Sequence, residues 1–533
     1  MYHLINQAGG SVMKKIRHAV FWPPFLLLIG AALLSFTNRE TFTTVTTNAN
    51  NWVISNLGWL FSISGLLMVI ACIGVYFSPL GNVKIGGPDA KPFLKFGNWF
   101  AITLCTTIAA GVTFWGIVEP IYHVSAPPES LGIKPNSPEA AIFSMSSMYL
   151  HWTISPYAIY CVPAIVFAFA YYNMKKPFSL GSTLAPILGD KINGKTGKII
   201  DAVCLYTLAL GMASSLGTSV LNLAGGVNHL SGIASNPLLW AIITATVTIT
   251  FILSASSGLM KGIRILSDIN MKAFYGIAIF IFIVGPSSYI LNLGTESAGN
   301  YFTHFFEKSL FTGAAAGDTW PQSWTTFYWA SWFSWAAITA LFLGRIAYGY
   351  KIKTMILVNF ILPAFFGGVW MTIFGGTSIH MQMTGGKLAD IMAQNGPEAV
   401  LYAVFAALPF AKFVIPFYLF IVFISFVTAA DSNMEAMGGI SSSGISPQSP
   451  SPGIMIKVVW GVTVSLVGWV MISFAKLDGI KMLANLGGVP ALFLGIGVLI
   501  ALVKIAQNPA KYDRTTKVDK NAAIKDADET KAV

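Results

Sequence analysis

The sequence predicts an all-α integral membrane protein with twelve transmembrane helices, and three features of the chain predict it. Hydrophobic residues make up 55% of the 533 residues and charged residues only 10%, against about 25% charged in a soluble domain. The mean hydropathy is +0.67. Apolar runs near the roughly 20 residues that cross a bilayer recur along almost the whole chain. Lys and Arg also gather in alternate connecting segments, as they do on the cytoplasmic side of membrane proteins. The composition excludes a soluble enzyme, a disordered chain and a disulfide scaffold. The net charge of +11 is read as an orientation signal, so no nucleic-acid partner is expected.

The spans are expected at 19–36, 57–77, 98–122, 144–171, 200–224, 236–257, 273–292, 324–347, 354–376, 411–437, 455–474 and 482–504. The first follows Lys14, Lys15 and Arg17 and so resembles a signal peptide, but it continues through Leu33 and Leu34 without a small-x-small cleavage pattern. It is read as a retained span. With residues 1–18 cytoplasmic, the inner segments hold 25 Lys and Arg and the outer ones 7, which places both termini inside a plasma or inner membrane. Residues 19–97 carry two spans and their connection. Residues 293–323 mix Phe302, Phe305 and Phe306 with His304, Glu307 and Lys308, the pattern of a helix lying at the outer interface. The tail 505–533 has six basic and five acidic residues and few large apolar ones, and is expected to be a mobile cytoplasmic segment. The cysteines Cys72, Cys105, Cys161 and Cys204 sit singly in apolar stretches and form no metal or disulfide pattern.

The densest chemical signal is TFYWASWFSW at 326–335. At about 100° per residue, Trp329, Trp332 and Trp335 share one side of a helix, with Tyr328 and Ser331 at or beyond its edge. A second aromatic set, HWTISPYAIY at 151–160, places Trp152, Tyr157 and Tyr160 on the fourth span, where Pro156 disturbs the helix. Such stripes serve core packing, or they form a box whose ring faces attract a cation that cannot donate hydrogen bonds. Spacing leaves both readings open. Glu119, Asp201, Arg345, Asp431 and Glu435 are charges at membrane depth, each functional or structural. Residues 329–335 contain no Lys, Arg, Asp or Glu, so a ligand held there is expected to be neutral overall, and a zwitterion with a methylated nitrogen fits best. In TTIAAGV (106–112), Gly111 permits either close helix approach or local unwinding. The seven histidines are scattered, with no pair of histidines at i, i+4. No catalytic group, metal centre or organic cofactor is expected, and an enzyme is the remote alternative.

The chain resembles the betaine/carnitine/choline transporter family. The resemblance covers nearly all of 14–505 and rests on FWGIVEPIYHVSAPP (114–128), His151–Trp152, SSLG (214–217), KGIRILSDIN (261–270), FYWASWFSW (327–335), GRI (344–346) and FVTAADSN (426–433). It implies a leucine-transporter-type 5+5 inverted repeat, 98–292 and 324–504, behind two extra N-terminal helices. It also implies alternating access around a midplane site, a small-molecule onium substrate such as betaine or carnitine, and a homotrimer in the lipid bilayer. By the resemblance, Trp152, Tyr157, Tyr160 and Trp332 form the substrate cage. Trp329 and Trp335 line the path or meet the carboxylate end, and Tyr122 matches an aromatic of the carnitine exchangers. Gly111 ends the pattern that the family's betaine carriers write as Gly-x-Gly-x-Gly. Tyr157 and Ser331 stand where the family usually has Trp, which makes the box smaller and more polar. Sodium, the one coupling ion expected, would be held at Cys105, Ile108, Ser425 and Thr428. Ala429 lacks the second hydroxyl of the sodium-coupled members, and Asn270 lacks the Arg of the sodium-independent exchangers. Symport with sodium and ion-independent exchange therefore both stay open, with symport preferred.

Overall fold

The computed structural model describes residues 16–256, 262–445 and 451–515. Residues 1–15, the start of KGIRILSDIN and positions 516–533 of the expected tail lie outside the described residues. Among the described residues the chain is helical, with two isolated β-bridges, Ile16–Ser442 and Lys84–Lys351. The helices that matter here are α1 (His18–Thr37), α2 (Arg39–Phe77), α3 (Phe96–Ser125), α4 (Pro138–Trp152), α5 (Ile154–Ala168), α6 (Lys195–Ser231), α7 (Pro237–Ser256), α8 (Gly262–Val284), α9 (Ser287–Thr303), α10 (Phe305–Leu310), α11 (Phe327–Ile346), α12 (Ile352–Met383), α13 (Leu388–Asn395), α14 (Pro397–Ala406), α15 (Ala411–Ser441) and α16 (Ile454–Gln507).

Nine stretches among the described residues are long and apolar enough to cross a membrane, and ten when α3, bent by 53° between Phe96–Thr107 and Gly111–Ser125, counts as one span. The two expected spans not counted have separate reasons. The first nine residues of α11 include three Trp, one Tyr and two Ser, which lower its hydropathy. The runs at 455–474 and 482–504 are two helices joined end to end across a kink, and together they count as one stretch, α16 (Ile454–Gln507). It bends at Lys476, whose φ of 46° and ψ of −124° are not helical.

Burial orders the bundle. The stretch Pro138–Asn173 is 94% buried, whereas α1 and α7 are one-third buried and turn Leu26, Leu27 and Leu253 outward. The outer helices thus present apolar side chains to lipid, and α4–α5 form the axis. That axis is broken at Thr153 (φ −121°, ψ −106°). Pro156 lacks an N–H and crowds the carbonyl four residues earlier, that of Trp152. Gly367 of α12 packs onto that carbonyl, which leaves no room for a Cβ there.

The seventh span departs from its expected 273–292. Helix α8 covers Gly262–Val284 and closes its last turn with the Gly285 N–H on Ile281 O at 2.8 Å. Pro286 prevents continuation, and α9 starts anew at Ser287. Tyr289, Ile290 and Leu291 belong to α9, so the region expected at 293–323 begins earlier and holds α9 and α10. The tail also differs. Asn173 Nδ2 donates to Asp513 Oδ2 at 3.2 Å, and the Arg514 N–H donates to Asn173 O at 3.0 Å, so 513–515 are docked on the body.

Four of the five charges expected at membrane depth have partners outside the aromatic region. Lys457 Nζ and Arg345 Nη2 lie 2.5 and 3.5 Å from the Glu435 carboxylate. Ser254 Oγ donates to Asp431 Oδ2 at 2.5 Å. Arg17 Nη2 lies 2.7 Å from Asp201 Oδ2, and its Nη1 donates to Ile440 O at 2.8 Å, so the segment before α1 straps α6 to the end of α15. Losing one partner of a buried pair costs about 3–5 kcal/mol. Arg17 is one-quarter exposed, and Asp201 keeps the Ser179 hydroxyl, so Arg17→Ala should cost about 2 kcal/mol. Thermal unfolding in detergent should show a midpoint several degrees lower, with Arg17→Lys intermediate.

Candidate functional site

The break at Thr153 is where the site is built. With the helix interrupted, the His151 carbonyl accepts from Trp332 Nε1 of α11 at 3.1 Å. That bond holds the Trp332 ring among three others. Its centroid lies 5.5 Å from Trp152, 5.8 Å from Tyr157 and 5.1 Å from Tyr160, at interplanar angles of 78°, 57° and 66°. Trp152, Tyr160, Tyr328, Trp332 and Trp335 line a small cavity with Gly111, Ser214 and Ser331. Its volume, about 60 Å³, is well below the roughly 300–1,000 Å³ of ligand pockets. Admitting a ligand therefore requires the rings to move apart. Gly111 faces Trp152, whose ring would lie 3.1 Å from a Cβ at that position. Helix α3 bends by 53° just before Gly111, between Phe96–Thr107 and Gly111–Ser125.

The tryptophan stripe divides among three tasks. Trp332 stands in the ring cluster. Trp335 lines the cavity and donates from Nε1 to Gly211 O of α6 at 3.0 Å. Trp329 is 1% exposed and packs against Gly65 of α2, outside the cavity. Tyr157 touches Trp332 without lining the cavity. Tyr122 lies away from it, 5.0 Å from Trp324.

Two of the residues expected for sodium, Cys105 and Ser425, share one side-chain partner, Asn270. Asn270 Nδ2 donates to Cys105 Sγ at 3.7 Å, and Ser425 Oγ donates to Asn270 Oδ1 at 3.1 Å. Thr428 Oγ1 donates into its own helix, to Ile424 O at 2.9 Å. The side chain of Ile108 lies outside the described residues.

Two readings of the sequence are corrected here. The aromatic region contains an acid, and two of the histidines are not scattered. Glu119 of α3 is fully buried, and its carboxylate accepts four hydrogen bonds. Oε1 accepts from His123 Nε2 at 3.0 Å and His151 Nδ1 at 2.7 Å. Oε2 accepts from Trp152 Nε1 at 2.7 Å and Tyr328 OH at 2.5 Å. Four donors fill the lone-pair directions of an ionised carboxylate. They also set the tautomers, so Thr325 Oγ1 donates to His151 Nε2 at 3.1 Å. Two cavity-lining rings thus hang on one buried negative charge. Glu, His and His are metal-ligating types, and their ligand atoms lie within 4.8 Å of one another, but the geometry displayed is a saturated hydrogen-bonded carboxylate. Sequence offered one signal for it, the i, i+4 spacing of Glu119 and His123. The loop before α11 is pinned separately. Burial raises the Asp318 carboxyl, but the Ser130 and Trp320 N–H groups, each 2.9 Å from it, hold it below the usual carboxylate range.

Chemically, the cavity offers ring faces, hydroxyls and a carboxylate one ring-width away, which suits a positively charged, methyl-shielded group. Comparison with known proteins agrees. The sequence model of the betaine/carnitine/choline family of transporters (BCCT) matches residues 19–511. The glycine betaine transporter OpuD of Bacillus subtilis is 30% identical over 95% of this chain and 97% of its own length. The betaine/ectoine transporter LcoP of Corynebacterium glutamicum is 30% identical over 92% of this chain and 78% of its own. An osmo-independent choline transporter of Acinetobacter baylyi is 28% identical over 87% and 90%.

Proposed function

The chain belongs to the betaine/carnitine/choline family of transporters, and from that premise we propose that it carries an onium compound, gripped by the rings of Trp152, Tyr157, Tyr160 and Trp332. The observation that carries this reading is the meeting of two distant aromatic segments, on α4–α5 and α11, around one cavity at the break in the central helix. Each desolvated cation–π contact contributes up to about 2 kcal/mol, so several rings can hold a quaternary head group without a direct carboxylate contact. Trp335, Ser214 and Ser331 are the polar-edged part of the cavity, where the acid end of betaine or carnitine would lie. Glu119 removes an argument against choline, because its charge stands behind two of the rings. The relatives' printed substrates include betaine, ectoine and choline.

Transport by alternating access between 98–292 and 324–504, in a homotrimer of the plasma or inner membrane with both termini cytoplasmic, completes the reading. Sodium symport is preferred. Ion-independent exchange is the second reading, favoured by the Thr428 hydroxyl that donates into its own helix and by Ala429 beside it. Uptake of labelled glycine betaine into proteoliposomes, with and without an inward sodium gradient, tests both. Symport predicts accumulation only with the gradient, and equal rates would overturn it. Excess carnitine, choline and a dimethylsulfonium analogue should each compete with the label, whereas excess alanine should not.

A further inference from the structure

We propose that Glu119, His123 and His151 form a proton-binding site that is antagonistic to onium binding, reached through the cavity that ends at Thr325. The inference rests on the cage reading and adds to it a second, linked ligand, the proton.

The cluster has one vacant place for a proton on each imidazole. With the carboxylate saturated, His123 donates from Nε2, and its Nδ1 has no hydrogen-bond partner although the ring is fully buried. His151 Nε2 faces only the Thr325 hydroxyl. Around His123 stand Trp324, Trp320 and Phe143, with centroids at 4.6, 4.9 and 6.4 Å. A route to it is also present. A cavity of about 340 Å³ is lined by exposed Glu139, His304 and Glu307 and by buried Ser147 and Thr325. A proton arriving there passes through the Thr325 hydroxyl to His151 Nε2. The hydroxyl gives its own proton to the imidazole and takes one from the cavity, so no charge is left on it.

The charge count gives the direction of coupling. With both imidazoles neutral, the cluster carries one negative charge behind Trp152 and Tyr328. One added proton cancels it. A cation between those rings is attracted by the first state and not by the second, so onium binding expels the proton and protonation weakens onium binding by the same factor. The other ionisable groups near the cluster are Tyr328 of α11, bonded to Glu119, Lys481 of α16 with Asp478 beside it, and Lys308 of α10, whose Nζ lies 4.8 Å from the Phe143 centroid.

The experiment is titration calorimetry of the detergent-purified full chain with choline and with glycine betaine, between about pH 5 and 8, in buffers of different ionisation enthalpy. The expected result is up to one proton released per ligand bound and a Kd that falls by as much as about tenfold per pH unit over part of that range. His123→Gln with His151→Gln should flatten the profile. Equal heats in all buffers with a pH-independent Kd would overturn the proposal while leaving the cage intact, as would an undiminished profile in the double variant. Absence of binding by either ligand at every pH would overturn both the cage reading and the proton site. Should the double variant not fold, the buffer comparison on the unaltered chain decides alone.

Discussion

Glu119→Ala is expected to abolish onium binding and to destabilise the bundle. The substitution leaves the donors of His123, His151, Trp152 and Tyr328 without an acceptor in a fully buried site. Each orphaned donor costs about 1–3 kcal/mol, and the four share one partner, so their losses are not additive. Released from Oε2, the Trp152 and Tyr328 rings lose the bonds that hold them at the cavity wall, 5.3 Å apart between centroids. Scintillation-proximity binding and thermal unfolding read the two effects. Glu119→Gln separates them, because an amide oxygen accepts two of the four bonds without supplying charge. Glu119→Gln should restore much of the stability and little of the affinity for a cation. Wild-type affinity in Glu119→Ala would remove the carboxylate from the site.

Trp332→Ala is expected to weaken onium binding by at least about 30-fold, which corresponds to about 2 kcal/mol, one desolvated cation–π contact. The ring is the hub of the cluster, in contact with Trp152, Tyr157 and Tyr160, and its N–H caps the His151 carbonyl freed by the helix break. Trp332→Phe keeps a ring but no N–H, and should fall between the two. Trp329→Phe is the contrasting case. Trp329 packs on Gly65 outside the cavity, so that change should lower stability and leave Kd within about twofold, since substitutions that touch no ligand act mainly through folding. An equal loss in both variants would mean that the stripe acts as packing throughout.

The helical membrane class was readable along the chain because hydropathy and the distribution of Lys and Arg are local sums that no distant contact alters. The aromatic segments were readable as candidates for the same reason. Periodicity assigned Trp329, Trp332 and Trp335 one face, yet a face of about 120° spans three neighbouring helices, and only packing divides it among α2, the cage and α6. Span ends were less legible. The run through Pro286 kept its hydropathy across a break, whereas the kink at Lys476 falls in the charged gap between the expected spans 455–474 and 482–504.

Composition and residue order by themselves determined that this chain lives in a bilayer, and that indoles and phenols are concentrated in two segments some 170 residues apart. Tertiary structure alone decided that those segments meet, and that Glu119 stands behind them. A carboxylate at membrane depth is costly until donors surround it. Here the four donors come from α3, α4 and α11, so the group that organises the cage becomes visible only when α11 is brought against two consecutive helices far earlier in the chain.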